Sequence, residues 1–381
     1  MASVAARIEA ATPAGRDRGM DALRALATLG VVAGHWLVTA WVHGPAGKVY
    51  ASSPLSYLPA LTPLSWVLQT LAVFFFVGGY AAARSLRTVT DRPAWVRARM
   101  GRLLPPVVPL ALLWTGIAVG MALHGLPERA VRSLVVPAVG PLWFLAVFAA
   151  LNAATPLLLR LRPGTVAVSG VVVVLVVDVA VFSQGGPDWL RWANLAAGWL
   201  VPYALGIGWA NGALTSRRTA AGLLVGGTAG AVVLVTGFGY PASMVGVTGA
   251  KLSNLSPPTL AVVCFGVAQV GLALLAREPL ARLMRRPRIW AVVALANLSA
   301  MTIFLWHQTA PALTALAALR FGDVPGLLAP PTEPLWVLHR LAWLPVFAAL
   351  LGTTWLARLR RRKEIRAAVP STGRRNVGGD G

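Results

Sequence analysis

Residues 21–41 read DALRALATLGVVAGHWLVTAW, an apolar run of membrane-spanning length interrupted by Arg24 and His35. Eleven positions separate the two. At roughly 100° and about 1.5 Å per residue they fall on one helix face, roughly 16 Å apart along the axis. Asp21 and Thr28 share that face, while Leu23, Leu26, Leu29, Val32, Trp36 and Leu37 supply apolar surface around it. An ionisable side chain in hydrocarbon is costly, so within a span it faces a protein interior or a wet cavity and serves a function. This segment is therefore expected to be half wall, half active site.

Composition agrees with that reading. The chain of 381 residues is 57% hydrophobic and 12% charged, with a mean hydropathy of +0.68, which excludes a soluble globule and predicts an all-α, polytopic membrane bundle. Basic residues precede the first apolar run, as in a secretory signal. The arginine and histidine inside it, and the lack of a small-residue cleavage site, predict a retained helix instead. The single cysteine, Cys264, excludes an intrachain disulfide and a multi-cysteine metal site, and no metal is expected.

Windows of about 20 residues, the length needed to cross a bilayer, give ten predicted spans near 22–42, 64–84, 103–123, 141–159, 165–183, 193–213, 219–238, 258–276, 289–310 and 335–356. The 34 Lys and Arg residues test this count. Most fall on the side of the N-terminus, notably in 84–102, 277–288 and 358–375, whereas Lys48, Arg129, Arg132, Arg191, Lys251, Arg320 and Arg340 fall opposite. Cytoplasmic loops carry the excess of basic residues, so both termini are predicted to be cytoplasmic. The net charge of +22 is then a topology signal and calls for no nucleic acid; the expected partner is a lipid bilayer, the plasma membrane of the cell. The predicted organisation is an N-terminal tail (1–20), one transmembrane domain (21–357) and a basic, Gly- and Pro-rich tail (358–381). Both tails are expected to be disordered.

Several further stretches could carry chemistry. LAVFFFVGGY (71–80) ends in Gly78 and Gly79, which admit either another helix or a ligand to the backbone. WVRARMGRLLPP (95–106) sets Arg97, Arg99 and Arg102 just before a span. Guanidinium groups bind phosphates bidentately, or they set topology and touch anionic headgroups. Trp143 in GPLWFLAVF is an interfacial anchor or lines a pocket. Asp178, in a Val-rich span, either orients a histidine or is solvated at the outer edge. TIFLWHQ (302–308) brings His307 to a depth similar to that of His35, as a packing histidine or a pocket residue.

Together these stretches resemble the acyltransferase 3 family of integral membrane acyltransferases, and the resemblance covers most of the chain. Its most specific part is the basic residue, ten intervening residues and histidine of MDALRALATLGVVAGH (20–35). FFFVGGY, the arginines before RLLPP, LWFL and TIFLWHQ then follow in the family's order. The chain differs in that Arg97, Arg99 and Arg102 contain no pair of arginines with three residues between them, which is common in the family at that motif, and in carrying Gly78 where a serine is usual.

The resemblance implies transfer of an acyl group, often acetyl, from cytosolic acyl-coenzyme A to a hydroxyl of a carbohydrate, lipid or secreted small-molecule acceptor. It implies His35 as base or acyl carrier and Arg24 for donor binding or polarisation. Arg97, Arg99 and Arg102 would take the donor phosphates, with Trp143, Asp178 and His307 as further pocket candidates. A transporter or flippase would also use intramembrane Arg, Asp and His, and strong inverted symmetry between the two halves would favour it. None is evident in the sequence.

Overall fold

The computed structural model describes residues 2–43 and 49–368. After a short α1 (Ala2–Ala10), α2 (Arg18–Val38) is unbroken. Asp17 caps its start by accepting from the Met20 amide at 3.1 Å. An antiparallel pair, β1 (Ala40–His43) and β2 (Val49–Ser52), follows. The predicted outer-side Lys48 lies outside the described residues. Next come α3 (Pro54–Tyr57), α4 (Leu64–Leu68), α5 (Leu71–Leu86), α6 (Arg92–Leu103), α7 (Val107–Leu123), α8 (Glu128–Val139) and α9 (Leu142–Leu158). The second half holds α10 (Pro163–Asp178), α11 (Ala193–Ala210), α12 (Arg217–Gly237), α13 (Leu260–Leu283), α14 (Pro287–Trp306), α15 (Thr309–Ala318) and α16 (Leu335–Ala368).

Every predicted span overlaps a helix. Among the described residues eight helical segments are long and apolar enough to cross a membrane. The two predicted spans outside that set are α2 and α11. Asp21, Arg24 and His35 lower the hydropathy of α2, and Asn194, Pro202 and several glycines lower that of α11.

Small residues bring the helices together, as expected where lipid competes with every apolar contact. A Cβ on Gly79 would run into the Tyr203 carbonyl, and one on Gly206 into the Phe76 carbonyl, so α5 and α11 pack backbone to backbone. Gly227 and Gly271 do the same for α12 and α13. Gly78 lies against the Phe148 ring. The glycine pair thus serves helix packing rather than ligand approach. Around it Phe74, Phe75, Phe144, Phe148 and Trp199 form an aromatic core with ring centroids 4.9–6.0 Å apart.

The N-terminal segment differs from the disorder expected of it. Ile8 packs against Ala22, Met284 and Trp290, Arg18 pairs with Glu9 at 2.6 Å, and the Trp290 indole donates to Thr12 Oγ1 at 2.8 Å. One apolar residue and two polar anchors suffice to order a segment that looks solvated by composition. At the other end α16 runs to Ala368, well past residue 358 where the tail was expected to begin. Residues 369–381 lie outside the described residues.

Candidate active site

An unbroken α2 puts Arg24 and His35 on one face, as the spacing requires, and each opens onto a different space. His35 borders a cavity of about 530 Å³ between the C-terminal half of α2, the α4–α5 break, α8 and the 245–256 loop. Arg24 borders a separate recess of about 200 Å³ at the other end of the helix, with Arg16, Asp17, Asp21, Tyr80 and Arg84.

His35 is held by the junction of α14 and α15. The helix turns at His307 and Gln308, which sends both side chains toward α2. The two imidazole rings lie 5.1 Å apart between centroids. Gln308 Nε2 lies 3.3 Å from His35 Nδ1 and donates to Thr39 Oγ1 at 3.1 Å. His307 is fully buried. Its Nδ1 lies 2.6 Å from the Phe304 carbonyl, so Nδ1 carries the proton and Nε2 keeps a lone pair, which has no partner. The Trp36 indole donates to the His307 carbonyl at 2.7 Å, tying α2 to the same junction.

At the opposite end Arg24 Nε donates to Asn297 Oδ1 at 2.8 Å, and Asn297 Nδ2 donates back to the Asp21 carbonyl at 2.8 Å. Asp21 lies 3.8 Å from Arg24 and is committed to Arg16 at 2.6 Å. Arg84 Nη1 donates to the Tyr80 hydroxyl at 2.9 Å. Asp17 is committed to Arg277 at 2.8 Å. The recess thus holds more guanidinium than free carboxylate, an arrangement suited to an anion.

The three arginines of α6 are not equivalent. Arg97 and Arg102 are exposed. Arg99 turns inward, stacks over Trp95 at 4.9 Å, reaches the Ala81 carbonyl at 3.4 Å and lies within electrostatic range of Arg24. Its Nε is buried without an acceptor. Trp143 borders the His35 cavity, the pocket alternative of the two open to it. Asp178 does not border it. Its carboxylate accepts from Asn194 Nδ2 at 2.9 Å, Tyr240 hydroxyl at 3.0 Å and Leu260 amide at 2.8 Å. It is neither solvated nor aimed at a histidine, but knots α10, α11 and the start of α13 together.

Sequence reasoning passed over Arg340. It was counted among outer-side topology charges, yet it is fully buried. It donates to the carbonyls of Trp36 at 2.6 Å, Thr39 at 2.6 Å and Gly326 at 3.0 Å. It thereby satisfies the last carbonyls of α2, beside His35, with cationic donors. Gln69 and Gln308 were passed over too. The signal was present: a polar amide in VLQTLAVFFF and a charged guanidinium in VLHRLAWLPVF are both costly in a span.

A family model described as an acyltransferase domain, Acyl_transf_3, matches residues 17–359. No curated protein and no solved structure shows a match. With a match from the cap of α2 to the last part of α16, the chain belongs to the acyltransferase 3 family of membrane proteins.

Proposed function

We propose that this protein moves an acyl group, acetyl in the first instance, from cytosolic acyl-coenzyme A to a hydroxyl of a glycan, lipid or secreted small molecule. It would do so from ten spans in the plasma membrane with both termini in the cytosol. The observation that carries the reading is that one helix holds an imidazole in a large cavity at one end and a guanidinium in an arginine-rich recess at the other.

Arg24, Arg84 and Arg99 would hold the phosphates or pantetheine carbonyls of the donor at the inner end. The unpartnered Arg99 Nε and a recess with room for a phosphate group fit that role. The pantetheine arm is long enough to carry the thioester along α2 toward His35. There the acceptor hydroxyl gives its proton to the imidazole as its oxygen attacks the thioester carbonyl. The carbon–sulfur bond breaks, and the departing thiolate takes the proton.

That role fixes a tautomer. Turned with its NH₂ toward His35 Nδ1, the Gln308 amide leaves the proton on Nε2 and no lone pair there. Turned with Oε1 toward Nδ1, it accepts the Nδ1 proton and that of Thr39, and Nε2 is free to act as base. Base catalysis requires the second arrangement, making Gln308 a positioning residue for His35.

The test uses membranes containing the protein, incubated with radiolabelled acetyl-coenzyme A and then extracted. Wild type should transfer label to an extractable or envelope-bound product, and His35→Ala at equal expression should transfer none. Label transfer by His35→Ala at the wild-type rate would overturn the reading.

A further inference from the structure

The break between α4 and α5 carries the observation. Gln69 and Thr70 interrupt the helix there, and the Gln69 backbone is accounted for: its amide donates to the Ser65 carbonyl at 3.1 Å and its carbonyl accepts from Gln269 Nε2, while the Thr70 hydroxyl donates to the Ala27 carbonyl at 2.8 Å. The side chain is another matter. Gln69 is 4% exposed, it borders the His35 cavity, and neither its Nε2 nor its Oε1 has a partner. Gln308, on the facing junction, is 1% exposed and borders the same cavity; one end of its amide meets His35 and Thr39, and whichever way the amide is turned the other end has no partner among the described residues. A buried polar group without a hydrogen bond costs about 1–3 kcal/mol and is uncommon enough to need a cause. Two such amides on one cavity point to a ligand that completes them.

The rest of the lining limits what that ligand is. Aliphatic side chains such as Val31, Val38, Leu68 and Val136 supply most of its surface, and among the described residues no Asp, Glu or Lys lines it. The one Lys or Arg among the described lining residues, Arg132, is exposed and sits 3.5 Å from Glu128. A charged acceptor would meet no buried counter-charge among these residues, and although Thr39, Ser52, Ser133, Thr248 and Ser256 also border the space, its mainly apolar wall favours an acceptor with few hydroxyls over a sugar chain. At about 530 Å³ the space has the size of a small-molecule site. A primary amide offers N–H donors on one side and an acceptor oxygen on the other, in one plane, and a hydroxyl can answer either.

We infer that the cavity takes an uncharged, mainly apolar alcohol bearing a second hydrogen-bonding group next to the hydroxyl to be acylated, and that the Gln69 amide, with Gln308 opposite, reads that second group. The assignment of the first hydroxyl to His35 rests on the acyltransferase reading; binding of the alcohol does not.

The probes are labelled 1,2-dodecanediol and 1-dodecanol, titrated onto the protein in nanodiscs with binding to empty nanodiscs subtracted. One completed amide should give the diol an advantage of about tenfold in wild type. Gln69→Met keeps the shape and removes the amide, so it should abolish that preference, leave 1-dodecanol affinity unchanged and melt no lower than wild type. Equal binding of the two alcohols by wild type would overturn the inference. So would a preference that survives in Gln69→Met, or a lower melting temperature for that variant, which would mean that the amide is used in holding the fold. Acetyl-coenzyme A binding measured on the same samples separates the two readings. Diol preference without donor binding removes the acyltransferase reading and keeps the site, and donor binding without diol preference does the reverse.

Discussion

Arg340 offers the sharpest test of how the His35 end of α2 is held. Its guanidinium is fully buried between Trp336 and Phe347, with its carbon 5.7 Å and 4.9 Å from the two rings. Among the described residues no carboxylate is paired with it. Its three hydrogen bonds run to the Trp36, Thr39 and Gly326 carbonyls. Arg340→Met keeps much of the volume and strands those three acceptors. A charged hydrogen bond is worth about 1.5–3 kcal/mol in water, and interhelical bonds in a membrane average about 0.6 with a maximum near 1.7. Removing the buried charge also relieves its desolvation cost. A net loss of about 2–4 kcal/mol follows, or, for a chain of this length, a fall in melting temperature of roughly 2–5 °C. Arg340→Lys should fall between, because one ammonium cannot reach three carbonyls in a planar fork. The assay is thermal unfolding of detergent-purified protein by tryptophan fluorescence. A variant Arg340→Met that melts within about 1 °C of wild type would refute the reasoning, because it would mean that α2 ends without needing this clamp.

Three other outcomes follow from the same geometry. Gly79→Leu forces α5 away from the Tyr203 carbonyl on α11 and should cost 3 kcal/mol or about that, read as loss of monodisperse protein in size-exclusion chromatography. Asp178→Asn keeps the acceptor for two of its three donors at best and should lower stability by about 1–3 kcal/mol while leaving acetyl-coenzyme A affinity unchanged. Arg99→Ala should weaken donor binding about tenfold or more, whereas Arg97→Ala and Arg102→Ala, which remove exposed side chains, should each change it less than threefold in calorimetry.

What the sequence reveals and what it hides divide along physical lines. Helix periodicity is local, so residues 21–41 alone place Arg24 and His35 on one face. Which way a side chain points within a helix is less legible: WVRARMGR does not tell that Arg99 alone turns inward. Contacts between distant elements are least legible. Gln308 meets His35 from 273 positions away and Arg340 meets Trp36 from 304. Arg340 lies in a segment that reads as an ordinary span, and Gln308 in one where only His307 stands out. Asp178 carries the same lesson in reverse, since a lone carboxylate in a span suggests chemistry, yet three donors from α11, Tyr240 and the start of α13 consume it. Ile8 and Thr12 order a terminus whose composition reads as solvated.

The central claim is that the two ends of α2 serve the two ends of one reaction, donor at Arg24 and acceptor at His35. Calorimetric titration of acetyl-coenzyme A into wild type, Arg24→Ala and His35→Ala in nanodiscs tests it most directly. The account predicts that Arg24→Ala binds about 10–100-fold more weakly, the loss of one charge-assisted contact, and that His35→Ala binds within about threefold of wild type. Undiminished binding by Arg24→Ala, or loss of binding by well-folded His35→Ala, would contradict it.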